Sequence, residues 1–540
     1  MLSPLSKDKW TYDTAAHLAA RAGFGESPSE LDRWTKQGMD ATIQELLHPD
    51  VDQTSLPKCA TPNQLADLRA RVKQATDSEG KKTARRTLRV AENQGFYELI
   101  SWWTQRMLTT RAPLLEKMTL FWHGHFATSA AKVRSPYKLW QQNESLRRDA
   151  LGNFVTLTKA ISRDPAMMIY LDLASSQAEH PNENFARELM ELFTLGEGHY
   201  TEPDIKESAR AFTGYRIDRF EQFRFAKNQC DAGSKTFMAQ TGNWDGDEII
   251  DIILRQRVAA KFICTKIWKY FAYEDPDAEL TDRLAEIFRQ NYEIRQLLET
   301  IFSSEEFYSQ RARDAIVKSP VQYLVEAGRT LGVSIPNGFT LFIVYQRMGQ
   351  TPFYPPNVKG WDGGKSWINT ATLTFRYQLA RQLVLGIREV NQPHPATTPQ
   401  ASPSPSALAS NSAQPSPSKQ AANTMAQTDN SSGQSGISMA QTENSSEQTE
   451  NTKGQKLKVM AQNATRLPAL PLAKLVTTED RADPEAALRR IYARAFQTTP
   501  DPQFFSRILA VVKEKPLPLS DDAIRDLVAL IMMTPNYQVC

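Results

Sequence analysis

A stretch rich in Pro, Ser, Thr, Gln and Asn, residues 391–465, limits how much of this 540-residue chain can form a core. It contains almost no large apolar side chains, so burial cannot offset the entropy lost on ordering. A short repeat lies within it, MAQTDNSS from Met425 and MAQTENSS from Met439. We therefore predict a disordered linker between a main domain, residues 1–390, and a small helical module, residues 466–540, that packs on the main domain.

Both parts that flank this linker carry helical patterns. Apolar residues recur at spacings of three and four, and capping residues precede many of these runs. The one extended pattern in the main domain is residues 215–247, where aromatic and charged residues alternate before a run of turn residues. Strands and helices do not alternate along the chain, which argues against a Rossmann fold or an α/β barrel. We predict a mainly α protein whose large multi-helix domain carries a small β-hairpin or flap.

Composition excludes several classes of function. The net charge of +3 is too small for broad electrostatic capture of nucleic acid. The four cysteines are scattered and form no CxxC pair, so neither a zinc knuckle nor a disulfide framework is indicated. No apolar stretch of about 20 residues occurs, so no membrane span is predicted. The sequence as written begins without a signal-peptide pattern, which predicts a cytoplasmic protein, and export stays open if the start site is misassigned.

Residues 181–214 carry the clearest local signals, which predict two helices separated by a Gly-rich turn. Asn182 suits the N-cap of the first helix. Gly196 suits its end, because glycine adopts the left-handed backbone that often terminates a helix. Thr201 and Asp204 suit a capping box at the start of the second helix.

The first of these helices carries a carboxylate that its amphipathic pattern does not explain. Glu183, Arg187 and Glu191 form an ordinary solvated stripe at four-residue spacing. Glu188 instead projects at the edge of the apolar face, where a half-buried carboxylate needs a partner. Two interpretations stay open for Glu188. It forms a structural ion pair, with Arg210 as the candidate partner, or it is a metal ligand or acid–base group with a raised pKa.

A second informative block is residues 113–129, predicted as a helix that Gly124 breaks between His123 and His125. Two histidines two positions apart lie on one side of the chain only if the backbone there is extended. Bulky aromatic neighbours would give such imidazoles the rigid wall that metal ligands need. Metal binding, a structural polar cluster and acid–base catalysis without a metal all remain possible interpretations.

Two further segments offer candidate ligand-binding residues. Asp231 and Lys235 flank a Gly-containing turn, and Lys235 either holds an anion or is a surface lysine. The loop PPNVKGWDGGKSWIN, residues 355–369, either forms the rim of a pocket, with Trp361 and Lys365 as candidate contacts, or caps the helical bundle. It lacks the GxxxxGK[ST] spacing of a phosphate-binding loop, so nucleotide binding there is rejected.

Several blocks, found in one order along the chain, resemble the bacterial family catalogued as domain of unknown function 1800. The resemblance covers residues of about 13–380, with weaker similarity at the C-terminus. It rests on AAHLAARAGFG (15–25), EKMTLFWHGHFATS (116–129), ALGNF (150–154), residues 181–214, DAGSKTF (231–237), IVKSP (316–320) and PPNVKGWDGGKSWIN (355–369).

The resemblance implies little about chemistry, because the family has no established activity. Its genes commonly neighbour those of a second family that looks like the alkaline phosphatase and sulfatase superfamily, which implies a partner protein of that kind. Family members usually have His where this chain has Cys230. If that His is a ligand, then Cys230 replaces it as a thiolate or the site is lost.

Two hypotheses about function follow. The favoured one is a binding or assembly protein that acts with the phosphatase- or sulfatase-like partner. The alternative is a metal-assisted hydrolase that uses a His/carboxylate cluster and a divalent metal. Its candidate metal ligands are His123, His125, Glu188, Glu191 and Asp231; its candidate catalytic residues are Glu188, His123 and Arg210; and its candidate ligand-binding residues are Lys235, Trp361 and Lys365.

Overall fold

The computed structural model describes residues 2–50, 57, 62–386, 467–498 and 500–540. The predicted linker, residues 391–465, lies outside these residues. Over the described ranges the chain forms twenty-two α-helices and two antiparallel two-stranded hairpins. The prediction of a mainly α protein is therefore confirmed. None of the described helices is both long enough and apolar enough to cross a bilayer.

In the first half of the main domain, many helices begin at a Pro or directly after a residue whose side chain caps them. Asp77 is one such cap, because its carboxylate accepts a hydrogen bond from the Gly80 amide at 2.7 Å. That cap begins α5, directly after α4. The helices are α1 (Tyr12–Ala22), α2 (Pro28–Gln37), α3 (Met39–Leu47), α4 (Pro62–Gln74), α5 (Ser78–Thr109), α6 (Pro113–His125), α7 (Ala130–Val133), α8 (Pro136–Asp149) and α9 (Phe154–Ser162).

The second half continues the helical array. The predicted caps form here, since Asn182 accepts from the Asn184 amide at 2.9 Å and Thr201 and Asp204 make the capping box. The helices are α10 (Pro165–Tyr170), α11 (Glu183–Glu188), α12 (Glu202–Ala211), α13 (Gly246–Arg255), α14 (Arg257–Phe271), α15 (Ala278–Phe288), α16 (Ile294–Ser303), α17 (Pro320–Glu326), α18 (Gly338–Met348) and α19 (Thr370–Leu385).

Between α12 and α13 the chain forms two short hairpins where one hairpin or flap was predicted. The first pairs β1 (Tyr215–Ile217) with β2 (Phe223–Phe225), and the second pairs β3 (Lys235–Phe237) with β4 (Gln240–Gly242). The two hairpins are separate sheets. They are therefore small additions to a helical fold and do not form a β-layer of their own.

Two helices widen into π-helical turns at their C-terminal ends. Residues Leu189–Thr194 follow α11 directly, and residues Ala327–Leu331 follow α17. A π-helical turn shifts the helical register, so side chains before and after it no longer share the predicted faces. The stripe predicted along residues 183–191 is interrupted for this reason. Such turns are also found often at functional sites.

The interior consists of two clusters of buried apolar side chains, and α6 contributes to both. Leu114, Met118 and Trp122 of α6, spaced by four residues, lie in the first cluster, whereas Leu120 lies in the second. The first cluster also takes in α1–α3 and α13–α16, and the second takes in α5 and α17–α19. Helix α6 therefore lies at the junction of the two clusters.

The C-terminal residues complete the second cluster. They form α20 (Pro484–Ala495), α21 (Pro502–Lys513) and α22 (Asp521–Met532), and α22 packs on α19. Val539 forms an antiparallel bridge with Val317. These residues belong to the same compact unit as the chain up to Ile387. The segment before α17 is thus fixed by the C-terminal end of the described chain.

Candidate functional site

Helix α6 ends at His125, so the predicted break at Gly124 is wrong. A glycine inside a helix costs only about 1 kcal/mol, and tertiary packing on both sides of α6 outweighs that cost. A Cβ atom at Gly124 would meet nothing within 4 Å, because this side of the helix faces a cavity. Since the backbone is helical, His123 and His125 point in different directions.

His123 is enclosed by aromatic side chains away from the cavity. Its Nε2 accepts a hydrogen bond from the Phe353 amide at 2.9 Å, and its ring packs edge-on against Trp103 and Phe353. Burial lowers the pKa of His123 to about 3, so the ring is neutral. The Nε2 lone pair that a metal or a proton would need is engaged by the Phe353 amide.

His125 lines the cavity and keeps one nitrogen without a partner. Its Nε2 lies 3.0 Å from the Phe193 carbonyl oxygen, which can only accept, so Nε2 carries the proton. Burial, with the charge of Lys266, lowers the pKa of His125 well below its usual value, which keeps the ring neutral. Nδ1 is then an acceptor, and no donor among the described residues reaches it.

The predicted carboxylate Glu188 ends α11, and Glu191 lies in the π-helical turn that follows. Burial, aided by the charge of Glu191, raises the pKa of Glu188 at the end of α11. Glu191 accepts a hydrogen bond from the Tyr200 hydroxyl. Arg210 does not pair with Glu188; it binds Asp231 at 2.7 Å and Glu207 at 2.9 Å.

Asp231 and Lys235 hold the turn that leads into the second hairpin. The hydrogen bond from Arg210 is the main cause that lowers the pKa of Asp231 below its usual value. The Lys235 ammonium donates to the main-chain oxygens of Asp231 at 2.8 Å and Gly233 at 3.0 Å. Lys235 is only 1 % exposed, so its charge is used to fix this turn.

The structure thus does not bring the five candidate metal ligands together. Within the described parts of the chain, no group of three or more His, Cys, Asp or Glu side chains is placed to share one ion. His123 and His125 face different sides of α6, Glu191 bonds to Tyr200, and Asp231 bonds to Arg210.

The end of α6, part of α14 and the 355–369 loop enclose a cavity of about 510 Å³. We call it the α6 cavity. Its apolar walls are aromatic, with Phe121 and Tyr270 from the helices and Trp361 and Trp367 from the loop. Trp361 therefore lies where a pocket-rim residue was predicted. Lys365 does not line the α6 cavity, whereas Lys359 of the same loop does.

Glycines allow the loop to close against the end of α6. Gly360 has a φ of +87°, and a Cβ atom there would overlap the Gly124 carbonyl oxygen. Gly364 has a φ of +53°, and a Cβ atom there would overlap the Glu274 carboxylate. Any other residue at either position would be strained by its backbone and by its contacts.

Six cationic side chains line the α6 cavity. Four of them pair with a carboxylate, donate to main-chain oxygens or are exposed to solvent. Lys318 pairs with Glu326 at 2.6 Å, and Lys359 pairs with Asp362 at 3.1 Å. Arg21 donates to main-chain oxygens, among them that of Ala272 at 2.7 Å, and Lys269 is exposed. The two others are Lys117 and Lys266.

Lys117 is a buried ammonium without a carboxylate partner in the described structure. It is 6 % exposed and donates to the Gly23 carbonyl oxygen at 3.1 Å and to the Gln322 side chain. Burial lowers the pKa of Lys117 to about 8, although the more distant charges of Glu326 and Cys540 favour the protonated form. Neutral oxygens and the faces of the Phe24 and Tyr270 rings hold this charge.

Lys266 also lacks a carboxylate partner in the described structure. Its ammonium lies 3.4 Å from the Leu192 carbonyl oxygen and 5.0 Å from the centre of the Phe262 ring. No carboxylate of a described residue pairs with it. Burial lowers the pKa of Lys266 to about 8, with a further lowering from the charge of Lys359. The α6 cavity therefore holds two partly or fully buried cations that lack a counter-ion.

The sequence reasoning missed both lysines, although one signal was present. Lys117, Phe121 and Gly124 follow one another at spacings of four and three, and Lys269 and Tyr270 lie three and four positions after Lys266. Each set lies on one helical face. A lysine that shares its helical face with aromatic residues, and not with other solvated charges, could have indicated a cationic pocket.

Fold and site define a mainly helical protein with a half-open, basic cavity whose walls include several aromatic side chains. The chain belongs to the family described as "Protein of unknown function (DUF1800)", which matches residues 17–539. This confirms the resemblance and extends it through the C-terminal helices. No curated protein and no solved structure gives a significant match.

Proposed function

We propose that this protein is a binding protein whose α6 cavity takes a small anionic ligand, such as a phosphate, sulfate or carboxylate. The observation that carries the proposal is the pair Lys117 and Lys266, which line one cavity without a carboxylate partner. Burying an ammonium without a counter-ion is costly. An anion bound in the cavity beside either lysine would supply the missing charge.

The cavity has the dimensions and chemistry of a small-molecule site. Its volume of about 510 Å³ falls within the range of ligand pockets, roughly 300–1,000 Å³. Aromatic walls with a few placed polar groups are also typical of such sites. The Gly360 contact with α6 holds the loop closed over one side, which keeps the lysine charges in a region of low dielectric where they act strongly.

We further propose that the binding protein acts with the phosphatase- or sulfatase-like partner that the family resemblance implies. The support is chemical: enzymes of that kind act on anionic esters, and the α6 cavity is suited to an anion. Binding to such a partner is tested by co-purification, with the Lys266→Met variant as the comparison. A complex that depends on the ligand would be weakened by this variant.

The metal-assisted hydrolase that the sequence leaves open has less support. It needs His123, His125, Glu188 and Asp231 around one ion. His123 Nε2 is engaged by the Phe353 amide, and Asp231 is engaged by Arg210. The geometry of the described residues therefore favours binding over hydrolysis.

Isothermal titration calorimetry of the full chain with inorganic sulfate and inorganic phosphate tests the binding proposal. We expect saturable binding at neutral pH that Lys266→Met weakens by about tenfold or more, the value of one charge-assisted hydrogen bond. Lys365→Met is the matched control, because it removes a lysine of the 355–369 loop that does not line the cavity. Equal affinity in all three proteins, or no binding to the wild type, would contradict the proposal.

A further inference from the structure

We infer that Glu326, the last residue of α17, weakens anion binding in the α6 cavity, although its carboxylate does not line that cavity. The inference rests on the proposed function and names the residue that regulates it. Two observations carry it. An ion pair joins Glu326 to Lys318, and the side chain of Gln322 bridges Glu326 to Lys117 by hydrogen bonds. Lys117 and Lys318 are the two buried lysines that line the cavity.

Gln322 forms the bridge with its side-chain amide. The amide oxygen accepts from the Lys117 ammonium, and the amide nitrogen donates to the Glu326 carboxylate at 2.7 Å and to the Ala20 carbonyl oxygen at 3.2 Å. A flipped amide would set its N–H groups against the ammonium and its oxygen against the carboxylate. The orientation of the amide is therefore fixed, and its dipole couples the two charges.

Lys318 is the second cation that Glu326 holds. Its ammonium lies 2.6 Å from the Glu326 carboxylate and 4.1 Å from the centre of the Tyr537 ring. Lys318 and Glu326 are 3 % and 4 % exposed, so the pair is only weakly screened. Two buried ammonium groups therefore share one carboxylate, Lys318 by direct contact and Lys117 through an amide.

The Glu326 carboxylate is kept out of the α6 cavity. Lys117, Gln322 and Lys318 line that cavity, whereas Glu326 lines a second cavity of about 210 Å³, which Lys318 also borders. The charge of Glu326 nevertheless reaches the first cavity. Burial lowers the pKa of Lys117, and the Glu326 charge opposes that lowering. Glu326 thus acts on a ligand of the α6 cavity at a distance and through the lysines.

The sign of this action follows from the charges. An anion in the α6 cavity is attracted by Lys117 and Lys318 and repelled by Glu326, which holds the same two ammonium groups. Removing the carboxylate leaves both lysines to the ligand and should strengthen binding. A network that only shapes the cavity predicts the opposite sign, because breaking a buried network destabilises the structure that surrounds the ligand.

Isothermal titration calorimetry of the full chain with inorganic sulfate at neutral pH tests the inference. We expect Glu326→Gln to bind sulfate about fivefold or more tightly than the wild type, at the lower end of the usual range for coupled sites. Lys318 keeps a neutral oxygen partner in this variant, as Lys117 does in the wild type, so it should stay protonated.

Glu92→Gln is the matched control for the lost carboxylate. Glu92 is also buried, pairs with Arg134 at 2.8 Å and does not line the α6 cavity. Its replacement changes the net charge of the protein by the same amount as Glu326→Gln. The sulfate affinity of Glu92→Gln should equal that of the wild type.

A second comparison keeps the inference testable if Glu326→Gln does not fold, since that variant leaves Lys318 without a carboxylate. In a Lys318→Met background this cation is absent, and Glu326 acts on Lys117 alone. We expect Lys318→Met to bind sulfate more weakly than the wild type. Lys318→Met/Glu326→Gln should bind it about fivefold or more tightly than Lys318→Met. Circular dichroism shows which variants fold.

The outcomes separate this inference from the proposed function. If the wild type binds sulfate and removal of Glu326 leaves the affinity unchanged or lowers it in any background that folds, the inference is overturned while the anion-binding function stands. An equal gain in Glu92→Gln would show that only net charge matters, and would also overturn it. If the wild type binds no sulfate, both proposals are overturned. Tighter binding on removal of Glu326, with no change in Glu92→Gln, supports regulation by Glu326.

Discussion

Two neighbouring residues of α6, Glu116 and Lys117, show two ways of burying a charge. Glu116 is 0 % exposed and accepts hydrogen bonds from Arg147 at 2.7 Å, from Arg106 and from Trp103 at 2.9 Å. Burial alone would raise the pKa of Glu116, but the charges of Arg147 and Arg106 lower it below its usual value. The charge of Glu116 is therefore fully compensated by protein side chains.

Lys117 is almost as deeply buried, yet only neutral oxygens and two aromatic rings hold it, and burial lowers its pKa. The Glu116 side of α6 packs between helices, whereas the Lys117 side borders the α6 cavity. A charge that is compensated serves the fold, because removing either partner leaves the other uncompensated. A charge that is left uncompensated beside a cavity is available to a ligand. This difference is the basis of the proposed function.

The largest effect is expected from Glu116→Gln. The variant leaves Arg106 and Arg147 buried without their carboxylate, which should lower the free energy of unfolding by about 3–5 kcal/mol. Lys117→Met should change it by less than about 1 kcal/mol, since relief from burying an ammonium offsets the loss of its bonds to neutral oxygens. Urea unfolding measures both values. Similar losses in the two variants would show that Lys117 is compensated as well as Glu116, and would break the comparison.

The next effect concerns the loop that closes the cavity. Gly360→Ala forces a Cβ atom into the Gly124 oxygen at a φ of +87°, and should cost about 2 kcal/mol or more, of which the left-handed backbone supplies about 1–2 kcal/mol. The loop would shift and admit water to the lysines, so anion affinity should also fall. Gly349→Ala is the matched control, with a φ of +96° and nothing within 4 Å of the added atom. If both variants lose the same stability and keep anion binding, the loop does not close the site.

A smaller effect is expected in the pH dependence of stability. The folded-state pKa values of Lys117 and Lys266 lie near 8, below the unfolded-state value of 10.5. Between these values the unfolded state binds more protons, so the two lysines make stability rise with pH. Their contribution should approach about 3 kcal/mol for each lysine. Urea unfolding from neutral to alkaline pH should show it as a difference between the wild type and the Lys117→Met/Lys266→Met variant. Parallel profiles would mean that the two lysines titrate normally.

The smallest effect is expected from Lys365→Met, which removes an exposed lysine outside the cavity. Stability should change by less than about 0.5 kcal/mol, and sulfate affinity should stay unchanged when measured by calorimetry. The variant tests whether the loss of any positive charge near the loop, and not only of a lysine that lines the cavity, weakens anion binding. A loss as large as that in Lys266→Met would point to a diffuse electrostatic effect.

Local signals in the sequence predicted much of the fold. The caps at Asn182 and Thr201 depend on residues two or three positions away, and they form as predicted. Gly124 was misjudged because its helix is held by packing on both sides, which a local propensity does not include. The π-helical turn after Glu188 was missed for a similar reason, since no residue within it indicates the change of register.

The candidate site was predicted only in part, because its key feature is that two lysines have no carboxylate partner. Trp361 and His125 were singled out and do line the α6 cavity, whereas Lys235 and Asp231 are engaged in a turn. Whether a lysine has a carboxylate partner depends on every element packed around it. Lys117 and Lys266 lie on α6 and α14, far apart in the chain, and only the three-dimensional arrangement shows that neither has such a partner.

The most direct test measures the titration of Lys117 and Lys266 by NMR, using isotope-labelled lysine side chains with and without sulfate. Sulfate keeps its charge across the range, so only the protein titrates. We predict two resonances, assigned by the Lys117→Met and Lys266→Met variants, with pKa values near 8 that rise when sulfate binds. Normal lysine pKa values near 10.4 for both residues, or low values that sulfate leaves unchanged, would contradict an uncompensated cationic site that an anion fills.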